Sequence, residues 1–454
     1  MNSTKLATVA EWAGGELSQG DPGLCVSNVC TDTRKLAAGD LFVALRGENF
    51  NGNAFAPEAA KRGAIAVILD GPAGSLPPGF GVIRVKDSLA ALQALAGRYR
   101  ETLTIKVLAI TGSNGKTSTK DMAAAVLGKK FRVIKTEGNL NNHIGLPLML
   151  LRAGNEHEIG IFEMGMNHPG EIAPLVKLAA PVAGIITNIG IAHIEFMGSR
   201  EAIADEKGKL AEGLPSDGAL ILNAGDDFSG LLAKRTKARI VSAGIGRGEI
   251  HARDLRPEHD GTRFIIENGA GSAEAFLPAP GAHMVENALL AVAAGRFFGI
   301  GLAEAAAGLR DATLTKGRLG RKTVRGIQFI DDTYNANPDS VVAAIETVAA
   351  LPATRRIAVL GRMNELGAEF ERGHRRVGKA AALGGLDSLI AVGEGAALIS
   401  DSAREHGLKD AQHVETVEEA GKMLRGIAKE NDLVLVKGSR SLRMERIVEA
   451  MSQP

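Results

Sequence analysis

The sequence is poor in cysteine and has no dominant charge. Its 454 residues include only two cysteines, and 53 basic residues face 52 acidic ones, which gives a net charge of +1. Cys25 and Cys30 cannot form a disulfide framework or, by themselves, a zinc site, and we interpret them as core thiols in a reducing compartment. A near-neutral chain lacks the overall field that attracts nucleic acid or an anionic membrane. We therefore expect small-molecule partners and no nucleic acid.

Long hydrophobic runs are also missing. The first 15 residues contain Lys5 and Glu11 within their apolar stretch, so they lack the core of a signal peptide. The richest apolar runs elsewhere are interrupted by Glu346 or Arg296 before they reach membrane-spanning length. The sequence therefore predicts a soluble cytoplasmic protein without membrane insertion.

A strand, a glycine loop and a helix follow one another directly near residue 110. Residues 107–110 predict a buried strand, and residues 118–127 predict a helix. Between them, residues 111–117 read Thr-Gly-Ser-Asn-Gly-Lys-Thr. The backbone N–H groups of such a loop hold a polyphosphate, while Lys116 reaches the terminal phosphates and Thr117 offers its hydroxyl to Mg²⁺. The segment predicts a nucleoside triphosphate site.

One position departs from the general phosphate-loop pattern. That pattern has glycine five places before Gly115, where this chain has Ile110. An ordinary turn between strand and helix is the alternative, but the strand before the loop and the helix after it favour phosphate binding. The predicted ATP-binding residues of this segment are Thr111, Gly112, Ser113, Asn114, Gly115, Lys116, Thr117 and Ser118.

The chain is longer than one hydrophobic core usually supports. Alternating strand and helix patterns divide it into three α/β domains, which we place at residues 1–100, 101–317 and 318–454. The first is small, and the second carries a parallel sheet with a small β subregion at residues 218–280. The third repeats the alternation of a Rossmann-like fold.

Polar residues follow the predicted strands of the second domain. Glu163 ends the strand at residues 159–163, Asn188 follows the strand at residues 184–187, and His193 comes shortly after. The carboxyl ends of parallel strands share one edge of the sheet, so these side chains could converge on the phosphates. Carboxylate suits Mg²⁺, but imidazole suits softer metals. Chemistry alone leaves open whether His193 is a ligand.

A loop at residues 136–147 is rich in amides. It contains Asn139, Asn141 and Asn142 with a histidine, between a predicted strand and a predicted helix. Such a loop is typical of a recognition segment, and we predict that its amides contact substrate.

Two further segments have ordinary explanations from spacing alone. Residues 199–213 predict a helix that carries Lys207, for which a solvated charged face is the common interpretation. Thr33 and Arg34 could belong to an anion or sugar site, but a turn capped by a side chain would give the same residues. Spacing alone favours the ordinary explanation in both cases.

Taken together, the motifs resemble those of the Mur ligases over nearly the whole chain. The short glycine loop is the form that this family shares with the folylpolyglutamate synthetases, and further matches lie at residues 138–142, 331–338, 363–367 and 436–440. Within the family, the resemblance is to members that join D-alanyl-D-alanine to UDP-N-acetylmuramoyl-tripeptide. It implies a three-domain, ATP-dependent ligase of peptidoglycan synthesis that works through an acyl phosphate.

The resemblance also implies roles for individual residues. Lys116, Glu163, His193 and Lys207 match the catalytic residues of the family, and Thr117, Glu163, His193 and Lys207 match those that hold two Mg²⁺ ions around ATP. The lysine at the Lys207 position becomes a carbamate in this family, which turns an ammonium into a carboxylate-like ligand. For Lys207 the family therefore overrides the solvated-face interpretation.

Substrate contacts are implied in all three domains. Asn287 and Arg318 match residues that contact ATP, and Asp332 and Tyr334 match contacts to its ribose and base side. The predicted substrate-binding residues are Thr33, Arg34, Gly47 and Asn51 for the UDP-sugar, together with Asn139, Asn141 and Asn142. The expected partners are ATP, UDP-N-acetylmuramoyl-tripeptide and D-alanyl-D-alanine, and we expect a monomer.

Arg362 stands where the family usually has an acidic residue. Because this position is near the expected dipeptide site, the replacement either changes the preference for the amine substrate or is silent. The rival functions are a sister Mur ligase, a folylpolyglutamate synthetase-like ligase, and a nucleotide switch or transport ATPase. The last would hydrolyse nucleotide without a carboxylate or an amine, and it leaves the third domain unexplained.

Overall fold

Three large β-sheets with flanking helices follow one another along the chain, and two further sheets have only two strands each. The structure is a computed structural model that describes residues 1–452. It confirms the predicted α/β class with three sheet units, while the boundaries at 100/101 and 317/318 stay predictions. Within the described residues, no helix has both the length and the apolar character needed to cross a membrane.

The N-terminal sheet has five strands in the order β2-β9-β8-β5-β4, parallel except for β2. Its region comprises β1 (Thr4–Lys5), α1 (Leu6–Trp12), β2 (Glu16–Gln19), β3 (Cys25–Val26), β4 (Val29–Cys30), β5 (Leu41–Val43), β6 (Arg46–Gly47), β7 (Phe50–Asn51), α2 (Ala56–Lys61), β8 (Ala66–Leu69), β9 (Gly81–Arg84) and α3 (Ser88–Glu101). Between the short strands β3 and β4, the side-chain amide of Asn28 donates a hydrogen bond to Asp40 at 2.7 Å.

The interpretation of the two cysteines as core thiols is wrong. Both are free, Cys25 is exposed, and Cys30 is half-buried. Each lies in a two-residue strand, β3 or β4, and β4 forms one edge of the N-terminal sheet. A residue in such a strand has few neighbours to cover it.

The central sheet has nine strands in the order β11-β12-β10-β13-β14-β15-β16-β17-β18. Its region comprises β10 (Lys106–Thr111), α4 (Lys116–Leu127), β11 (Val133–Lys135), α5 (Gly145–Arg152), β12 (Ile159–Glu163), α6 (Ile172–Ala179), β13 (Ala183–Ile186), α7 (Ile194–Met197), α8 (Arg200–Glu212), β14 (Ala219–Asn223), α9 (Ser229–Ala233), β15 (Arg239–Ile245), β16 (Ile250–Glu258), β17 (Gly261–Glu267), β18 (Ser272–Leu277), α10 (Ala282–Phe297) and α11 (Leu302–Arg310). Strands β10 to β16 are parallel to one another, and the pairs β16–β17 and β17–β18 are antiparallel. The predicted β subregion therefore extends the central sheet.

Strand β10 lies in the middle of the parallel part, between β12 and β13. Ile110 pairs with Glu163 of β12, and Thr111 pairs with Ile186 of β13. The loops that leave these three strands consequently start side by side at one edge of the sheet. This topology brings the glycine loop, Glu163 and the segment after β13 together.

Helix α10 covers the sheet beside α4 and is buried on almost all sides, because it packs on both α4 and the strands. Behind the glycine loop, α4 also holds the segment that leads to the third domain. The carboxylate of Asp121 accepts hydrogen bonds from the backbone N–H of Thr315 at 2.9 Å and from its hydroxyl at 2.7 Å. The start of the connection is thus attached to the phosphate-loop helix.

The third sheet has six strands in the order β19-β20-β24-β21-β22-β23, parallel except for β19. Its region comprises β19 (Gly320–Val324), β20 (Ile327–Asp331), α12 (Pro338–Ala350), β21 (Arg355–Gly361), α13 (Phe370–Leu383), β22 (Ser388–Val392), α14 (Ala397–Glu405), β23 (Ala411–Val414), α15 (Val417–Ile427), β24 (Asp432–Lys437) and α16 (Glu445–Met451). The carboxyl ends of β20, β21 and β24 face the glycine loop, as the contacts below show.

Candidate active site

The glycine loop has a backbone that only glycine fits at two positions. Gly112 and Gly115 have φ angles of 144° and 83°. A Cβ atom at Gly112 would overlap the hydroxyl of Thr187, and one at Gly115 would overlap the side-chain oxygen of Asn287. Helix α4 begins at Lys116, so the free N–H groups of its first turn face the loop. This is the geometry of an anion site for phosphates.

Lys116 lies folded across this loop. Its Nζ atom donates hydrogen bonds to the carbonyls of Gly112 at 2.6 Å and Ser113 at 3.4 Å. Burial lowers the pKa of Lys116 to about 8; the charge of Glu163 opposes this shift, and that of Arg318 adds to it. A bound phosphate would offer the ammonium a stronger partner than two carbonyls.

Glu163 is only 1% exposed and lies among polar partners. Its Oε2 atom accepts a hydrogen bond from the Thr117 hydroxyl at 3.2 Å, and its Oε1 atom lies 3.1 Å from Nζ of Lys120. Thr136 fixes the backbone behind it by accepting a hydrogen bond from the Glu163 N–H at 2.9 Å. A carboxylate beside a hydroxyl presents the oxygen ligands that Mg²⁺ prefers, so these residues fit the predicted ion.

The protein side chains alone would not enclose such an ion. Within residues 1–452, no group of three or more His, Cys, Asp or Glu side chains is placed to hold a metal. Mg²⁺ at nucleotide sites usually takes one or two carboxylates and completes its shell with phosphates and water. Glu163 and Thr117 match that kind of site.

His193 is brought into the same region by the segment after β13. Its φ angle is 65°, and its Nδ1 atom lies 2.6 Å from Oε2 of Glu365 in the third domain. The two side chains are thus in direct contact across the boundary between the central and third domains. The hydrogen bond and charge of His193 lower the pKa of Glu365.

Lys207 is only 1% exposed, although Glu201 and Asp205 of the same helix are exposed. The solvated face that spacing favours is therefore wrong for Lys207, which lies on the inner side of α8. Burial, together with the charge of nearby Lys116, holds the pKa of Lys207 well below its usual range. Among the described residues, its amine has no hydrogen-bond or ion-pair partner. Lys207 is thus a buried amine that favours its neutral form.

A first cleft, of about 880 Å³, runs from the glycine loop toward α10 and the third domain. Two of the predicted ATP contacts form pairs at its wall. Asp332 lies 2.6 Å from Nζ of buried Lys437, and the Arg318 guanidinium lies 4.0 Å from the ring centre of Tyr334. The predicted residues that line this cleft are Asn114, Gly115, Ser118, Asn287, Arg318 and Asp332.

A second cleft, of about 510 Å³, lies on the other side of the glycine loop. It joins the loop to the amide-rich segment of the central domain and to two turns of the third domain, at residues 364–366 and 439–441. The predicted residues that line it are Ser113, Asn114, Gly115, Lys116, Thr117, Asn139, Asn141, Asn142, Glu163, His193, Arg318 and Tyr334. One pocket therefore collects the residues that are predicted to bind phosphate, metal and substrate.

The third domain contacts the glycine loop directly. Asn337 donates a hydrogen bond to the side-chain oxygen of Asn114 at 2.7 Å, and Asp339 accepts one from the Ile191 N–H at 3.1 Å. The two clefts are consequently closed on one side by the third domain.

Several predicted residues lie elsewhere. Thr111 is buried in β10 and donates its hydroxyl to the Met164 carbonyl at 2.8 Å, below the clefts. Gly112 and Lys207 likewise do not line either cleft, and neither do the N-terminal residues Thr33, Arg34, Gly47 and Asn51. In that domain Asp32 caps a short turn by accepting a hydrogen bond from the Arg34 N–H at 3.0 Å, which is the ordinary alternative.

Arg362 also stays outside both clefts. Its guanidinium lies 3.3 Å from the carboxylate of Glu394 and 5.3 Å from the ring centre of Phe370. The Arg362 side chain therefore makes these contacts within the third domain, and it does not line the second cleft.

The sequence reasoning missed four polar residues of the site: Lys120, Asn337, Glu365 and Lys437. A signal for Lys120 was available, because it lies four residues after Lys116 and so shares one face of α4. The other three lie inside motifs of the third domain, but their contacts across the domain interface leave no mark in local spacing.

Comparison with known proteins agrees with this architecture. Family models match in three parts of the chain: the Mur ligase family catalytic domain at residues 26–100, the Mur ligase middle domain at 110–295, and the Mur ligase glutamate ligase domain at 317–440. The chain is 40% identical to a UDP-N-acetylmuramoyl-tripeptide--D-alanyl-D-alanine ligase of Bacillus subtilis, with 93% of each chain covered.

Solved structures are similar over the same extent. A crystal structure of MurF from Acinetobacter baumannii has 31% identity and a TM-score of 0.90, with 100% of both chains covered. MurF ligase from Thermotoga maritima in complex with ADP has 27% identity and a TM-score of 0.84, and the match covers 94% of this chain and 97% of that one.

Proposed function

The chain belongs to the Mur ligase family, and we propose that it joins D-alanyl-D-alanine to UDP-N-acetylmuramoyl-tripeptide at the expense of ATP. The second cleft carries this proposal. It gathers a phosphate loop, a buried carboxylate and an amide-rich segment, and the third domain supplies polar turns to its opposite wall. Those are the parts needed to bring a nucleotide, a carboxylate and an amine together.

The proposed reaction has two steps. The terminal carboxylate of the tripeptide attacks the γ-phosphorus of ATP, which forms an acyl phosphate and releases ADP. The amine of the dipeptide then attacks the acyl carbon, loses a proton, and displaces phosphate to leave the new amide.

The residues of the chain supply charge and position for these steps. Lys116 neutralises the terminal phosphates, and the N–H groups at the start of α4 hold the phosphate chain. Thr117, Glu163 and His193 would hold Mg²⁺, which stabilises the developing charge on the transferred phosphoryl group. The third domain excludes water that would hydrolyse the acyl phosphate.

Lys207 is proposed to act as a carbamate. Its neutral amine attacks CO₂, and loss of one proton leaves an N-carboxylate that carries a negative charge. Two observations support this: the amine is buried without a partner among the described residues, and the charge of Lys116 lies nearby. A carbamate would convert the repulsion between the two lysines into an attraction and would add a metal ligand.

Asn139, Asn141 and Asn142 are proposed to contact the peptide substrate, and the N-terminal residues Thr33, Arg34, Gly47 and Asn51 the UDP-sugar. Asn287, Arg318, Asp332 and Tyr334 are proposed to hold the nucleoside. We also propose that the protein is a cytoplasmic monomer with domains divided at 100/101 and 317/318.

The experiment is phosphate release from ATP and Mg²⁺ with both acceptor substrates, and with each omitted in turn. We expect release only with both, together with a UDP-pentapeptide detected by mass spectrometry. Lys116→Met should abolish release, whereas Lys177→Met, at an exposed position of α6, should not. Release that is indifferent to both acceptors would instead indicate a switch or transport ATPase.

A further inference from the structure

The turn at residues 363–366 of the third domain holds one carboxylate in a fixed place. The Asn364 N–H donates to the Ser439 hydroxyl, and its side-chain amide donates to the Ser441 hydroxyl, each at 2.9 Å. Glu365, the next residue, has a φ angle of 60°, which residues other than glycine rarely adopt. Such a conformation persists only where its surroundings hold it, as the two hydrogen bonds of Asn364 do here.

The same turn is locked onto the segment that carries His193. The Glu365 carbonyl accepts a hydrogen bond from the Glu195 N–H at 3.3 Å, while the Glu365 carboxylate lies 2.6 Å from Nδ1 of His193. A Cβ atom at Gly367 would lie only 3.1 Å from Cα of Glu195, so the two backbones approach closely. His193 also has a left-handed backbone, with a φ angle of 65°.

As a simple ion pair, this contact would stabilise the protein little. The side chains of His193 and Glu365 are 19% and 41% exposed. Pairs with that degree of exposure contribute roughly 0–1 kcal/mol. A small gain in stability therefore does not explain why two residues with left-handed backbones contact each other across the domain boundary.

We propose that Glu365 is a positioning residue that orients His193 toward the metal, and that the metal site is complete only when the third domain is docked. The inference rests on the metal role of His193 in the proposed function. A histidine that binds a metal usually gives its other ring N–H to a carboxylate, which fixes its tautomer and ring orientation. With Nδ1–H directed to Glu365, the lone pair of Nε2 is left for the ion.

The test measures metal binding without turnover. Mn²⁺ replaces Mg²⁺ as a paramagnetic probe, and it is titrated into the protein saturated with ADP while free Mn²⁺ is followed by electron paramagnetic resonance. Loss of an outer partner of this kind typically weakens metal binding roughly 10–100-fold, and we expect this for Glu365→Ala. Glu365→Gln should lose less, because the amide oxygen still accepts a hydrogen bond from Nδ1.

A matched control is available on the same domain. Glu371 pairs with Arg375 at 3.0 Å on α13, is 68% exposed, and does not line either cleft. Glu371→Ala should bind Mn²⁺ within about twofold of the wild type, as for surface sites in general. Mn²⁺ affinity of Glu365→Ala within the same range would overturn the inference.

A second pair of variants separates positioning from a structural effect. In a His193→Ala background, Glu365→Ala should cause no further loss of Mn²⁺ affinity. Glu365 is proposed to affect the metal only by orienting the imidazole, which this background lacks. A further tenfold loss in that background would contradict the inference. If the wild type with ADP binds no more Mn²⁺ than ADP alone, the proposed metal site itself fails, and the role of Glu365 fails with it.

Discussion

Replacing Lys120 by methionine should expose how much the site depends on a buried ion pair. Its Nζ atom lies 3.1 Å from Glu163 and 3.5 Å from Asp121, and the three side chains are at most 3% exposed. Asp121 keeps a second cation, because Lys135 lies 2.6 Å from it. Glu163 keeps only the Thr117 hydroxyl and the more distant charge of Lys116, so Lys120→Met leaves a buried carboxylate without its cation.

The expected cost follows from that geometry. Removing one partner of a buried ion pair typically costs about 3–5 kcal/mol. A unit of 150–250 residues loses about 2–4 °C of thermal midpoint per kcal/mol, which predicts a loss of roughly 6–20 °C. Because Lys116 partly compensates, we expect the lower half of this range.

The assay is thermal unfolding of the nucleotide-free protein, followed by circular dichroism and by calorimetry. Lys135→Met is the matched control: that lysine is 39% exposed, and its loss should cost about 1 kcal/mol or less. Adding Glu163→Gln to Lys120→Met should recover part of the loss, since no buried charge then lacks a partner. The reasoning is refuted if Lys120→Met loses no more than Lys135→Met, or if the second change lowers the midpoint further.

Three other predictions concern the glycine loop. The pKa of about 8 lies below the usual value for lysine, so charging Lys116 costs stability in the nucleotide-free protein below pH 8, and this cost fades as the pH rises. Bound phosphates raise the pKa of Lys116 again, so ADP binding at pH 8.5 should be accompanied by uptake of roughly 0.7 proton by its amine. Calorimetry in two buffers measures this uptake, and Lys116→Met should show none. Gly115→Ala should weaken ADP binding roughly 10–100-fold in the same calorimeter, because left-handed strain and overlap with Asn287 together cost about 1–3 kcal/mol; unchanged affinity would show that the loop adapts. Asn337→Ala removes the hydrogen bond to Asn114, which contributes about 1 kcal/mol, so the ratio of docked to open forms should fall about fivefold. Small-angle scattering measures this change, and an unchanged profile would show that other contacts hold the domain.

The glycine loop could be predicted from sequence because its determinants are local. A buried strand, two glycines and a helix lie next to one another. The strand is one residue longer at each end than predicted, and the helix begins at Lys116, two residues before the predicted start. The Mur-type fold is likewise confirmed, because motifs spread along the chain point to it together.

The burial of Lys207 could not be predicted from spacing. Its helix has charged residues on two sides, and only the packing of α8 decides which side is inside. Glu206 faces inward as well, where its carboxylate accepts hydrogen bonds from the N–H groups of Gly170 at 2.8 Å and Ile172 at 2.7 Å. The inward position of Glu206 thus depends on a segment that is distant in sequence.

Glu365 shows the same limit at a domain interface. The motif around it was visible, but the partner of its carboxylate lies 172 positions earlier in the chain, on another sheet unit. The roles of the other site residues stay predictions until the measurements above are made.

The attachment of Thr315 to Asp121 fixes the start of the third domain beside the phosphate-loop helix. Arg318 is three residues beyond Thr315, so its Cα stays within about 10 Å of this attachment at any orientation of the domain. Glu365 is much farther along the chain, so its contact with His193 depends on how the whole third domain lies on the central one. In the proposed function, Arg318 therefore remains near the phosphate-loop helix at every orientation, whereas the metal site would be complete only in the docked arrangement.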